Sequence, residues 1–165
     1  MVAGQFIRKT NNLKIMEKLT INPYLIFDGN ATQAFEFYQS VFGGEFSFKM
    51  KASESPAQGD QKLDPAENDK LMHICLPLPG GQMLQASDMI RSYCNGETYS
   101  FSQGNTQFIA IRTESEADAK EIFTRLSKEA KIQVDMQPMF WGDLFGQLTD
   151  QFGVQWMISC QLKKP

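Results

Sequence analysis

Shifting the chain against itself by 85 residues lays Ala34 on Ala119, Phe37 on Ile122, Tyr38 on Phe123 and Val41 on Leu126. Each set recurs in steps of three and four residues, so each forms one apolar stripe along a helix. The apolar run Leu19–Phe27 precedes the first helix and Gln107–Arg112 the second, and the same shift lays Asn22 on Gln107. A shift of 72 lays Gly81 on Gly153 and Gln85 on Met157. Each half therefore reads strand, helix, then two or three strands, as a duplicated β-α-β-β-β module does. Amphipathic helices resemble one another, so coincidence is the alternative.

The punctuation fits this order. Pro23 lacks a ladder donor and marks an edge position or a bulge in the first strand. Asp28-Gly29 turns the chain, Asn30 stands as N-cap with Gln33 in the capping-box position, and Gly43-Gly44 stops the helix. Glu45–Lys51 alternates as a half-buried strand, and Leu71–Leu78 and Gln82–Ser87 form a hairpin around Pro79-Gly80-Gly81. Ser115 caps the second helix with Asp118 three residues on; Ile132–Met136 is a short strand. A turn at Asp150–Gly153 leads to the last strand, Val154–Cys160. Residues 52–70, polar and broken by Pro56, Gly59 and Pro65, read as a long loop, of a length that is often functional or disordered. Asp88–Gly104 reads as an irregular linker between modules at about 19–88 and 105–160, which share one domain, 19–160. Residues 1–18 read as an extension, with Met16 a candidate start.

From Pro138 to Cys160 the chain concentrates Phe140, Trp141, Phe145, Phe152 and Trp156 among Gly142, Gly146 and Gly153. Rings supply buried area and glycines permit turns, a mixture that suits a curved sheet edge around a pocket. A formal net charge of -3 lacks the basic stripe of a nucleic-acid binder. Cys75, Cys94 and Cys160 are odd in number and form no C-x-x-C pair, as expected of reduced thiols in a cytoplasmic protein. No apolar run approaches the ~20 residues that span a bilayer, and no export signal is visible.

Ile21-Asn-Pro-Tyr-Leu-Ile-Phe-Asp-Gly-Asn-Ala, Phe37-Tyr-Gln-Ser-Val-Phe-Gly-Gly-Glu, Met72-His, Ser87-Asp88, Phe140-Trp-Gly-Asp-Leu-Phe-Gly and Asp150-Gln-Phe-Gly-Val-Gln-Trp-Met together resemble one family. It is the PhnB-like branch of the glyoxalase/bleomycin resistance/extradiol dioxygenase superfamily, the vicinal oxygen chelate proteins. The resemblance covers about residues 19–160. It implies an α+β fold of two tandem β-α-β-β-β modules forming a curved mixed sheet around a pocket, and a homodimer. Metal-dependent members place His, Glu or Gln on the first and last strands of each module around one divalent ion. The matching positions here are Asn22, Gln85, Gln107 and Met157, with no imidazole or carboxylate among them. Amides and a thioether are poor ligands for zinc or nickel, so no metal and no cofactor is expected. A methyltransferase label sometimes attached to the family finds no Gly-rich strand-to-helix loop for a nucleotide-like cofactor here.

The residues then divide between sharp and bland readings. His73, the sole histidine, is a base or hydrogen-bond donor to a ligand, or a satisfied core histidine. Asn22, Gln85 and Gln107 anchor a polar ligand, or satisfy one another and water. Phe140 and Trp141 form an aromatic pocket wall, with Tyr24 and Met157 added to the ligand set, whereas Trp156 is core or dimer contact. Asp88 caps the following segment or acts as a base; Cys75 and Cys160 are small buried hydrophobes. The expected function is metal-free binding of a small molecule. The alternative is an enzyme of lyase, isomerase or oxygenase type acting on a small metabolite, with a relocated metal or with His73 as base. A dimer without a small ligand is the third reading.

Overall fold

The computed structural model describes residues 20–56, 62–94 and 100–163. Its first half runs β1 (Tyr24–Phe27), α1 (Ala31–Phe42), β2 (Phe48–Lys51), β3 (Leu71–Pro77) and β4 (Met83–Asp88). The second runs β5 (Ile109–Thr113), α2 (Glu116–Leu126), β6 (Lys131–Pro138), β7 (Asp143–Thr149) and β8 (Gln155–Gln161). Sheet order is β1-β4-β3-β2 in one half and β5-β8-β7-β6 in the other, with β1 parallel to β4, β5 parallel to β8, and the remaining pairs antiparallel. The α+β class and the two tandem modules are as expected. The sheet comes as two four-stranded halves that do not pair edge to edge.

The helices start 85 residues apart, at Ala31 and Glu116, as the repeat requires. Both cover the inner faces of the sheets, where Ile74, Leu76, Leu84 and Ala86 of one half and Leu144, Leu148, Trp156 and Ile158 of the other are buried. Alternate residues of β4 and β8 face the other way and stay half-buried. The sheets thus have one covered face and one open face each.

Several local expectations shift. Asn30 makes no side-chain cap to α1. Buried Asp88 does that work from the end of β4, its Oδ1 accepting from the amides of Gly29 at 2.9 Å and Ala31 at 3.0 Å. Its Oδ2 accepts from Leu71 N at 2.8 Å, so one carboxylate ties β1, α1 and β3 to β4. Ser115 caps α2 as expected, its Oγ accepting from Asp118 N at 3.1 Å. β7 occupies a stretch that the sequence marks as rich in rings and glycines without assigning it a strand. Its inward positions are Leu144, Gly146 and Leu148, and the missing side chain of Gly146 hides the alternation. Phe123 fills that gap, close enough that a Cβ on Gly146 would lie 2.6 Å from its ring.

The 52–70 connection is partly ordered, with 3-10 turns at Ala52–Glu54 and Pro65–Glu67; residues 57–61 lie outside the described residues, as do 1–18. Glu67 anchors its end. It takes the Lys70 ammonium at 2.8 Å, the amides of Arg91 and Ser92 at 2.9 Å each, and the Ser92 hydroxyl at 2.7 Å. Burial pushes this carboxyl up, but the Lys70 contact, the Ser92 hydroxyl and the two amides outweigh it and hold it at about 2.

One buried knot joins the modules. Asp150 Oδ2 accepts from the Tyr38 hydroxyl on α1 and from Trp156 Nε1 on β8, each at 2.8 Å. Its Oδ1 takes the amides of Phe152 and Val154. Burial first, then the charge and hydrogen bond of Asp150, raises the Tyr38 hydroxyl far above its ordinary value, so it stays a donor.

Candidate functional site

Strand register assembles the site on the open face of the first sheet. Tyr24 pairs with Gln85, Gln85 with Cys75 and Cys75 with Phe48, one row across all four strands. His73 lies two residues from Cys75 and therefore on the same face. It stacks on the Tyr24 ring, centroids 5.6 Å apart and planes 10° apart, and meets the Phe48 ring at 5.6 Å. Its Nδ1 is 3.1 Å from the Tyr24 hydroxyl and its Nε2 is 3.1 Å from Cys75 Sγ. Gln85 Nε2 donates to the same sulfur at 3.2 Å. Tyr24 and Phe48 remain 48% and 46% exposed, so two aromatic rings stand open to solvent around a polar centre. Tyr24, Ile26, Phe48, Met50, His73, Cys75, Met83, Gln85 and Ser87 supply this face, and none is an acid, a lysine or an arginine. Such a face suits a neutral ligand.

The other expected site residues are more dispersed. Asn22 Oδ1 accepts from Met83 N at 2.9 Å, so that amide is engaged at the start of β4. Gln107 is exposed, and its carbonyl accepts from Gln155 Nε2 at 3.0 Å. The ladders pair Leu25 with Ala86 and Ile111 with Ile158, so the two first strands correspond at a shift of 86, one more than the helices. Phe108, rather than Gln107, then stands level with Asn22. Met157 lies on the open face of the second sheet between Gln147 and Ala110. Phe140 and Trp141 occupy the β6–β7 turn, where Phe140 is 98% exposed and Trp141 packs on Phe145 with centroids 5.9 Å apart. A cleft of about 640 Å³ runs between β1 and the segment leading into β5, lined by Tyr24, Ile26, Gln103, Gln107, Phe108 and Phe152 among others. Tyr24 and Gln107 thus border one hollow, while Tyr24, His73 and Gln85 share one face.

Cys75 is the residue that sequence reasoning set aside as inert. The signal lay in the His73-x-Cys75 spacing, because on a strand any i, i+2 pair points the same way. Asp88 makes no approach to this face, being committed to three backbone amides on the covered side.

The positions where metal-dependent relatives gather ligands do not fit a hard divalent cation. Asn22 has its oxygen on a backbone amide, Gln85 turns its NH₂ to sulfur, and Met157 offers a thioether. Among the described residues no three of His, Cys, Asp and Glu cluster as a metal set.

Paired β-α-β-β-β modules, each with a helix-covered inner face and an open outer face, define a paired-module α+β protein. The chain belongs to the Glyoxalase/Bleomycin resistance protein/Dioxygenase superfamily, whose family model matches residues 20–158. It is similar to protein YjdN of Escherichia coli (strain K12), at 26% identity over 147 residues, covering 89% of this chain and 99% of that one. Among solved structures it is similar to PA1353 of Pseudomonas aeruginosa, at 34% identity and a TM-score of 0.72, covering 88% of this chain and all of that one. A PhnB protein of Bacillus cereus shares the fold, at 24% identity and a TM-score of 0.60 over 88% of this chain and the whole of its own. The PhnB-like resemblance drawn from the motifs agrees with these neighbours.

Proposed function

We propose that this protein binds a small neutral organic molecule without a metal, on the open face of the first sheet. The observation that carries this reading is the row Tyr24–Gln85–Cys75–Phe48 with His73: half-exposed rings around amide, imidazole and hydroxyl groups, and no formal charge. Rings supply contact area and a few polar groups fix orientation, which is how ligand pockets are built. Asn22, bonded to the start of β4, and Gln107, on the cleft beside Tyr24, border this face, whereas Met157, Phe140 and Trp141 stand on the other module and reach the site from a second copy. Among the described residues no helix is long and apolar enough to cross a membrane. Together with three unpaired thiols this supports a place in the cytoplasm.

A second copy of the chain completes the site. Among the described residues β1 and β5 are both edge strands, and Ile21, Tyr24 and Ile26 are exposed on or beside β1. Such edges and apolar side chains call for cover. A second reading, an enzyme acting on a small metabolite with His73 as base, is favoured by the contact between its Nε2 and Cys75 Sγ.

A metabolite library screened by thermal shift tests the binding reading. Neutral compounds with a planar ring or conjugated system are expected to raise the melting temperature, and Gln85→Leu and Trp141→Ala to abolish the shift. Stabilisation by divalent metal that Gln85→Leu removes would sink the metal-free assignment.

A further inference from the structure

We propose that Cys75 is a nucleophilic thiol served by His73, and that it captures small neutral α,β-unsaturated carbonyl compounds. This goes beyond reversible binding and does not depend on it, since a reactive thiol shows itself with a generic probe.

The geometry is a relay of three groups across two strands. For His73 Nε2 to accept the thiol proton across 3.1 Å, Nδ1 must carry the ring's other proton, and the Tyr24 oxygen, 3.1 Å away, is the acceptor that holds it there. Gln85 Nε2 directs an N–H at Sγ from 3.2 Å and stabilises negative charge on sulfur. Thiolate, not thiol, is the nucleophile, so a base and a donor converging on one sulfur are what reactivity needs. Cys75 is only 6% exposed, but its Sγ faces the open side, where its cover consists of the side chains of Tyr24, His73, Gln85 and Phe48. Among the described residues no helix or strand lies over it, because α1 packs on the opposite face.

The ligand class follows from the surroundings. Flat rings at Tyr24 and Phe48 accept a planar conjugated system, and the absence of charged side chains among the described residues of the face favours a neutral one. Sulfur is a soft nucleophile and adds to the β-carbon of an enone. The thiol proton passes to His73 Nε2 and the sulfur electron pair forms the S–C bond. The C=C π pair moves to the α-carbon, which takes the proton back from Nε2. Nothing is oxidised or reduced and no co-reactant is consumed.

N-ethylmaleimide, itself a neutral planar enone, is the probe. The full-length protein is treated at limiting reagent, and adducts at Cys75, Cys94 and Cys160 are followed by peptide mass spectrometry. Cys75 is expected to react at least about tenfold faster than Cys94, although Cys94 is the more exposed, and His73→Asn to slow Cys75 by about a hundredfold while leaving Cys94 unchanged. Tyr24 is a positioning residue: Tyr24→Phe keeps the stacked ring but loses the oxygen, so it slows Cys75 only if the hydroxyl sets the tautomer. Gln85→Glu puts an anion against the sulfur and slows it too, which keeps the test decisive should His73→Asn fail to fold. A Cys75 slower than Cys94, or one that His73→Asn leaves unchanged or speeds by opening the cover, overturns the proposal. A library that yields no binder, with Cys75 still selectively alkylated, removes the binding reading alone.

Discussion

Asp150 shows how much one side chain can decide. It is 5% exposed and satisfies two side-chain donors and two backbone amides drawn from both modules. Removing it strands the Tyr38 hydroxyl and Trp156 Nε1 without partners in a buried place, where each orphan costs about 1–3 kcal/mol. Asp150→Ala is therefore expected to lower unfolding free energy by about 3–5 kcal/mol in urea titrations, and Tyr38→Phe by about 1 kcal/mol, since it deletes donor and demand together. A loss under 1 kcal/mol for Asp150→Ala would contradict this reading of the knot. The sequence showed Asp150 only as a turn residue, because its partners lie 112 positions away at Tyr38 as well as nearby at Trp156. His73 and Cys75 present the reverse case. Their adjacency was written in a two-residue spacing on a strand, but the reading of Cys75 as a small buried hydrophobe, true of its burial, left out its polar neighbours.

At the level of elements, periodicity carried far where packing was one-sided. Both helices and the β3–β4 hairpin were legible because Ala34, Tyr38 and Val41 of one helix and Ala119, Phe123 and Leu126 of the other recur on one buried face and Gly80-Gly81 supplies the positive φ of the turn. β7 was not, since Gly146 interrupts its inward row to admit the Phe123 ring. The register of β1 against β5 slipped by one residue because the first connection, from Phe27 to Ala31, is longer than that from Thr113 to Glu116. That slip turns Gln107 from the face where the repeat placed it, which no helix pattern could disclose. The 52–70 connection, read from the sequence as a long loop, owes its ordered end to Glu67. This carboxyl sits at about 2 in the folded protein, against an ordinary 4.5. A depressed folded value stabilises above the unfolded one and is lost as pH falls through the folded one. The contribution, of the order of 3 kcal/mol, should thus be complete above about pH 5 and gone near pH 2. Glu67→Gln is expected to be less stable than the parent at pH 7, with the gap closing as pH drops from 5 toward 2 in denaturant titrations. A gap independent of pH would show that Glu67 contributes shape and not charge.

For the whole molecule, the arrangement of two half-cups sets the last question. The helices and Asp150 hold the modules together through their covered sides, so the open faces are the outer ones, and among the described residues β1 and β5 end the sheets unpaired. Among the described residues no element of a single copy closes over either face, whereas a second copy laid edge to edge extends each sheet and walls off each hollow. Four-stranded sheets with bare edges are also prone to uncontrolled pairing, and self-association removes that hazard. The protein is therefore expected to run at twice the chain's mass in light scattering at tens of micromolar, with a melting temperature that rises with concentration. Ile26→Glu, which puts a charge at a 37% exposed position on β1, should shift it toward the single chain and lower its melting temperature. Ligand-induced stabilisation should fall with the dimer, because the two halves form one site. A single-chain mass at those concentrations would refute the completed cup. Ligand binding that persists in monomeric Ile26→Glu would show instead that the row from Tyr24 to Phe48 suffices without a second copy.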